Sequence, residues 1–313
     1  MSAAPRPVTR TPAQDRLVDE VLAWGQERPA VPPGAVAELR AILDGAVLEQ
    51  TGRSAEAGGD DDGATTGPAG TYSASTLASE EAGPSRSPWR HDRVTVRGLA
   101  LKQAFARDVE DEHTDPPGEV AAAALASLAR ERPGDPASAS HWLNAQGREV
   151  RSSIRDEVAA VIADLRSLWP PLPRGQLDLA IAPRLRIPVA DGRIVLTARP
   201  DLVIDSRHRD DRARALVLVT RAGMPRPVAD RALARTHALF VALWSGRMPF
   251  RWGSLHLTDG RIEVEDLDVE VLRATARAVG ARVRPSSPAR GAPGSSVAQP
   301  GAAADEEEHR DRG

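Results

Sequence analysis

The strongest constraint on the fold is a short apolar run, Ala-Leu-Val-Leu-Val-Thr, at residues 215–220. A strand that is apolar on both faces has to be covered on both faces, as the central strands of α/β sheets are. Two segments of alternating polarity precede it, at 176–189 and 193–205, joined by an Asp191-Gly192 hairpin turn. We therefore predict a protein of the α/β class, with a mixed central sheet flanked by helices.

The remaining elements surround these strands. Helical spacing of apolar residues predicts helices at 94–107, 117–131, 138–147, 149–168, 228–245 and 267–283. A further strand is predicted at 251–257, before an Asp259-Gly260 turn, so the order is helix, three strands, helix, strand, helix. Two more helices, at 14–27 and 33–49, predict an N-terminal helical hairpin within residues 1–50.

Composition divides the chain further. Residues 51–88 and 285–313 are rich in Gly, Ser, Ala and acidic residues, and we expect a disordered linker and a disordered acidic tail there, since such segments bury too little apolar surface to offset chain entropy. Residues 89–284 are expected to form one domain. No segment is apolar for 18 residues and the N-terminus has no apolar signal region, so we expect a cytoplasmic protein without a membrane partner.

Residue usage excludes several chemistries. The chain has no cysteine, which excludes disulfides, cysteine zinc sites and iron–sulfur clusters. Lys102 is the only lysine beside 40 arginines. Residues 165–251 carry 16 arginines against seven aspartates, although the net charge of the whole chain is only −3. Such a basic segment suits a phosphate backbone, and an ordinary solvated arginine-rich surface is the alternative.

A local pattern then suggests a family. Arg199-Pro200-Asp201 is followed by the apolar Leu202-Val203-Ile204 and later by Val219-Thr220-Arg221 after the 215–218 run. This resembles the core of the PD-(D/E)XK nuclease superfamily, in its RecB-type branch, where a Pro-Asp pair precedes a strand carrying acid, any residue and lysine. Val96-Arg97-Gly98 resembles the branch's Arg-Gly segment upstream, and the likeness covers about residues 94–283. The resemblance implies a restriction-endonuclease-like core.

The resemblance also implies a site and a chemistry. Asp201 matches the acid that binds Mg²⁺ or Mn²⁺, and Arg221 stands at the lysine position, where it would contact the scissile phosphate. Lys102 falls near the family's upstream histidine, His237 near its tyrosine and Leu233 near its glutamine. The arginine-rich sheet face would bind DNA, and we name Arg184, Arg186, Arg199 and Arg226 as the nucleic-acid-binding residues.

The second metal-binding acid is missing, because Val219 occupies its position. Asp205 is one replacement, since a spacing of four residues puts it on the same strand face as Asp201. A swing of Asp210 or Asp211 into the site is the other. Without a replacement the protein keeps the fold, loses or weakens cleavage, and needs no cofactor.

Two functions remain open from the sequence. The first is a nuclease-like protein that binds or acts on DNA, in repair or defence, with cleavage weakened or lost. The alternative is a non-catalytic protein-interaction module whose partner is a helicase-type or other DNA-processing protein, docked by the N-terminal helices.

Overall fold

The computed structural model describes residues 10–23, 28–57, 70–82, 91–132, 135–172, 177–206, 212–213 and 215–283. It contains helices and two mixed sheets, which confirms the predicted α/β class. Among the described residues, no helix combines the length and hydropathy that a membrane span requires. The expected tail at 285–313 lies outside the described residues.

The larger sheet has five strands, in the order β2-β5-β6-β7-β8. Only β6 and β7 run parallel, whereas the other neighbours are antiparallel. Every side chain from Ala215 to Thr220 in β6 is buried, so the apolar run forms the predicted central strand. The five strands are β2 Leu177–Ile181, β5 Leu202–Ser206, β6 Ala215–Arg221, β7 Pro249–His256 and β8 Arg261–Asp266.

The smaller sheet has three strands, in the order β1-β4-β3: β1 Gly70–Ser73, β3 Leu185–Val189 and β4 Ile194–Ala198. We expected one return strand over 193–205, but the chain instead leaves the small sheet after Ala198 and enters the large one at Leu202. Pro200 explains the break, because it has no N–H to donate to a continuing ladder. Each half of the expected strand therefore pairs in a different sheet.

Helices cover both sheets. The helices α4 Arg93–Glu110, α5 Pro117–Arg130 and α7 Arg148–Leu168 pack on one another, with the short α6 Ala139–Ala145 on α5, and α4 contacts β2 and β6. The helix α8 Pro227–Ser245 packs on β6, β7 and the small sheet. The last helix is α9 Val269–Arg282, so all six helices predicted after residue 93 are present.

The N-terminal helices dock separately on the rest of the fold. The helix α1 Pro12–Arg16 continues as a π-helical turn to Val21 and is tied to α7 by a hydrogen bond of 2.8 Å from Thr11 Oγ1 to the Ser167 carbonyl. The helix α2 Ala35–Ala57 packs instead on α9, where Glu38 and Arg273 form an ion pair of 2.6 Å. The structure therefore differs from the expected hairpin, since each helix finds its apolar surface elsewhere.

The expected linker at 51–88 also differs. The helix α2 extends to Ala57, and residues 70–82 form β1 and the helix α3 Ala74–Ala82. Three small or medium apolar side chains are enough to anchor α3 on α8, because Ala74, Leu77 and Ala78 are all at most 3% exposed. The intervening residues 58–69 and 83–90 lie outside the described residues.

Candidate functional site

Asp201 lies where the chain passes from the small sheet to the large one. Its Oδ2 accepts the backbone N–H of Thr220 at 2.7 Å, because β5 and β6 are antiparallel and pair Leu202 with Leu218. The same register places Val219 beside Asp201. Asp201, directly before β5, and Val219, in β6, are therefore neighbours.

Lys102 reaches Asp201 from α4. Its Nζ lies 3.3 and 3.4 Å from the two carboxylate oxygens, and both side chains are about 30% exposed. The only lysine in a chain with 40 arginines is thus placed on the carboxylate that the sequence singled out. An ammonium is a compact point charge, whereas a guanidinium is a planar fork. Sequence reasoning missed this pairing, although the isolated lysine was a usable signal.

A cavity of 590 Å³ opens beside this pair. It lies between α4, the α5–α6 segment and the ends of β2 and β5, and apolar side chains such as Phe105 and Leu128 line part of it. Its polar lining includes His91, Lys102, Glu131, Arg132, Asp135, Ser138, Arg199 and Asp201. An adjoining cavity of 420 Å³ shares Gln103, Glu131 and Arg199 with it. This groove could not be predicted from the sequence, because its walls come from segments that are distant in the chain.

The residues around Asp201 do not fit a divalent metal. Mg²⁺ takes oxygen ligands, mostly from carboxylates. Val219 is completely buried and offers none. Asp201 already holds an ammonium and a backbone N–H. Within the described residues no three His, Asp or Glu side chains come together in a way that could hold a metal ion.

Asp205 does not join Asp201. Four residues of extended strand separate them by about 13 Å, and Asp205 pairs with Arg247 at 3.2 Å. The alternation of side chains along a strand predicted that Asp205 and Asp201 share a face, but it did not show that they lie too far apart to bind one metal ion. Asp210 and Asp211, the other replacements considered, lie outside the described residues.

Arg221 is held by an acidic residue of α8. Its Nε lies 2.6 Å from Oδ1 of Asp230, a side chain only 6% exposed. Oδ2 of Asp230 accepts the backbone N–H of Arg226 at 2.9 Å. Asp230 thus pairs with the Arg221 cation and fixes the loop that follows β6. The sequence analysis did not single out Asp230.

His237 stands behind the pair in the core. It is 5% exposed, and burial lowers the pKa of His237 to about 4. The nearby Asp201 carboxylate opposes this shift, whereas the Arg221 and Lys102 charges add to it. His237 is therefore neutral at pH 7 and does not contribute to the basic surface. Leu233, one turn earlier on α8, is half-buried against the core.

Three of the four predicted nucleic-acid-binding residues share one surface. Alternate residues of β3 are buried and exposed, so Arg184 and Arg186 project from the outer face of the small sheet. Arg186 pairs with Thr197, and the pairing of Leu185 with Ala198 places Arg184 opposite Arg199 just beyond the strand ends. We call Arg184, Arg186 and Arg199 the arginine face.

The strands that carry the arginine face bring no acidic side chain to it. The strands β1, β3 and β4 contain no acidic residue, and Thr71, Ser73 and Thr197 add hydroxyl groups to the same outer face. None of the three arginines forms an ion pair with another described residue, whereas Arg93, Arg231, Arg251 and Arg273 do. Arg199 also lines both cavities, so the face is continuous with the groove beside Asp201.

Arg226, the fourth predicted residue, lies apart from this face. It is exposed in the loop between β6 and α8 and has no ion pair with a described residue. Thr220, at the end of β6, connects this loop to Asp201. Asp201 is therefore connected to both surfaces: it lies two residues from Arg199 of the arginine face, and its hydrogen bond to Thr220 links it to the strand that leads into the β6–α8 loop.

Comparisons with known proteins add little. No protein-family model matches this chain, and no curated protein matches it. Among solved structures, the chain is similar to one described as "Crystal structure of SSO0001", at 12% sequence identity and a TM-score of 0.23. That match covers 66% of this chain and 82% of the other. A similarity this low assigns neither a fold nor a function to this chain.

Proposed function

We propose that this protein binds DNA through the arginine face and the adjoining groove, as a nuclease-like domain of the PD-(D/E)XK type that does not cleave. The observation that carries the proposal is the state of Asp201. Its carboxylate is paired with Lys102 and accepts the Thr220 N–H, and the neighbouring position that should supply a second acid is a buried valine. Repair or defence is the setting that the resemblance implies.

The arrangement of elements supports the family. The helices α4 to α7, the strands β2 to β6, the helix α8 and the strand β7 follow in the predicted order of helix, strands, helix and strand, although the predicted strands 176–189 and 193–205 are each divided between the two sheets. The β3–β4 hairpin is an insertion between β2 and β5, and it carries Arg184 and Arg186. The insertion therefore adds a basic surface next to a site that has lost its second acid.

The absence of acidic residues on the arginine face supports DNA as the ligand. Each arginine that neutralises a phosphate releases condensed counterions, so affinity should fall steeply with salt. The exposed hydroxyl group of Thr71 on the same face is a further donor to phosphate oxygens. A protein–protein surface would be expected to have a more apolar centre.

The test is salt-dependent DNA binding by the full chain. The triple variant R184Q/R186Q/R199Q should bind more weakly and lower the slope of log K against log salt by about 2 to 3, at roughly 0.9 per lost contact. The matched control R148Q/R151Q/R277Q removes three exposed charges from α7 and α9 and should leave the slope unchanged.

The Asp201 site is tested separately. We expect no DNA cleavage in Mg²⁺ or Mn²⁺, and tighter DNA binding by D201N, because the substitution removes a negative charge and releases Lys102. Metal-dependent cleavage that D201N abolishes would contradict the proposal that the domain does not cleave. No DNA binding even at low salt would contradict the proposed ligand and favour the interaction-module alternative.

A further inference from the structure

The loop of residues 222–226, between β6 and α8, exposes a large apolar side chain close to the Asp201 site. Met224 is 87% exposed, more than any other large apolar side chain in the described part of the chain. Thr220, four residues earlier, donates its N–H to Asp201. The backbone of Met224 therefore lies within about 13 Å of Thr220, the residue that is hydrogen-bonded to that carboxylate.

This loop is held at both ends. Asp230 binds Arg221 through one oxygen and the Arg226 N–H through the other, so one buried carboxylate closes the loop. Ala222 packs closely on α4, where a Cβ added at Gly98 would lie 3.4 Å from its Cβ. Pro225 and Pro227 fix their own φ angles on the far side of Met224. Met224 is therefore presented by a loop whose conformation is restrained on both sides.

The surroundings of Met224 are basic. Arg226 is exposed two residues away; Arg231, which is paired with Glu265, and the half-buried Arg235 follow on α8. Asp230 is committed to the loop itself. Val228, 67% exposed, adds a second apolar side chain beside Arg226. An apolar tip flanked by cations is suited to DNA, because proteins that insert Met, Leu or Pro between bases hold the adjacent phosphates with arginine or lysine.

We propose that Met224 inserts between neighbouring bases of the bound DNA and unstacks them beside the Asp201 cavity. This inference rests on the proposed function, since it requires DNA on the arginine face. Insertion of Met224 would make the protein prefer one kind of DNA over another, which contacts between the arginine face and phosphates alone would not do. DNA whose stacking is already interrupted, by a mismatch or a nick, is the favoured ligand, because less unstacking has to be done on binding.

The experiment uses the full chain and duplexes that carry 2-aminopurine at a fully paired step or beside a single mismatch. We expect the wild type to raise 2-aminopurine fluorescence and to bind the mismatched duplex about tenfold more tightly, because part of the unstacking cost is removed. M224Q should lose both effects while it still binds the paired duplex. M224L keeps an apolar side chain of similar size and should retain both.

The outcomes separate the two proposals. Equal fluorescence and discrimination in the wild type and M224Q, with matching thermal unfolding, would overturn the role of Met224. Wild-type binding with no discrimination would also overturn it, and would leave DNA binding in place. Failure of the wild type to bind any duplex at low salt would overturn the proposed function and the role of Met224 with it.

Discussion

Asp108 is a buried acid at the contact between α4 and α7. It is 2% exposed, and it accepts hydrogen bonds from Arg166 Nε at 3.1 Å and from His113 Nδ1 at 2.6 Å. Arg166 also donates to the Asp115 carbonyl. Burial alone would raise the pKa of Asp108, but the hydrogen bonds from His113 and Arg166 outweigh it and lower that pKa.

We expect D108N to lower the free energy of unfolding by about 3 to 5 kcal/mol, the usual cost of removing one partner from a buried ion pair. The control is D156N, because Asp156 pairs with Arg155 at 2.7 Å but is 64% exposed. An exposed pair contributes about 0 to 1 kcal/mol. The two variants remove the same chemical group from pairs that differ in burial.

The assay is urea unfolding followed by tryptophan fluorescence, with Trp169 as a buried reporter in edge contact with Phe105. Because the pKa of Asp108 is lowered on folding, its stabilisation is present above the unfolded-state pKa of about 3.9 and is lost as the pH falls through the lower folded-state pKa. The difference in free energy of unfolding between the wild type and D108N should therefore decrease at acid pH. Equal costs for D108N and D156N at pH 7 would refute the reasoning.

Two further predictions concern stability. Burial lowers the pKa of His237 to about 4, so as the pH falls His237 is protonated in the unfolded chain before it is protonated in the folded one. The free energy of unfolding should therefore be at its full value above pH 6.5 and fall by about 3 kcal/mol toward pH 4. In urea titrations H237F should flatten this part of the pH profile, and an unchanged profile would contradict the pKa assigned to His237. A Cβ on Gly280 would lie 2.4 Å from Ala46 Cβ, so G280A should lower the free energy of unfolding by about 1 to 2 kcal/mol. In thermal unfolding the double variant A46G/G280A should recover part of this loss. A G280A variant more stable than the wild type would contradict the close packing of α2 on α9.

The elements with a clear apolar period could be predicted from the sequence. The central strand β6 and the helices after residue 93 are confirmed. The strand β8 was missed, although Ile262 and Val264 alternate with charged residues. An edge strand exposes half of its side chains to water, and four of the six residues of β8 are charged, so the pattern resembled a polar connection. Residues 70–82 were missed for a related reason: short elements that depend on tertiary contacts have little local signal.

The candidate site was predictable only in part. Asp201 follows a Pro-Asp pattern, and the structure places it beside a cavity. The pairing of Lys102 with Asp201 spans 99 positions in the chain, and no local pattern reports a contact at that separation. Likewise, a period of two could place Asp205 on a strand face but could not show that Arg247 holds it. Partners of side chains are set by packing between distant segments.

The link between the two sheets has a mechanical consequence. Only Arg199, Pro200 and Asp201 connect β4 with β5. Three residues span at most about 10 Å, and the proline ring removes one of the few torsions that could absorb a displacement. The link therefore allows little displacement of β4 relative to β5. A displacement of the small sheet, such as the proposed DNA binding would cause, is therefore expected to reach the backbone of Asp201 directly through Pro200.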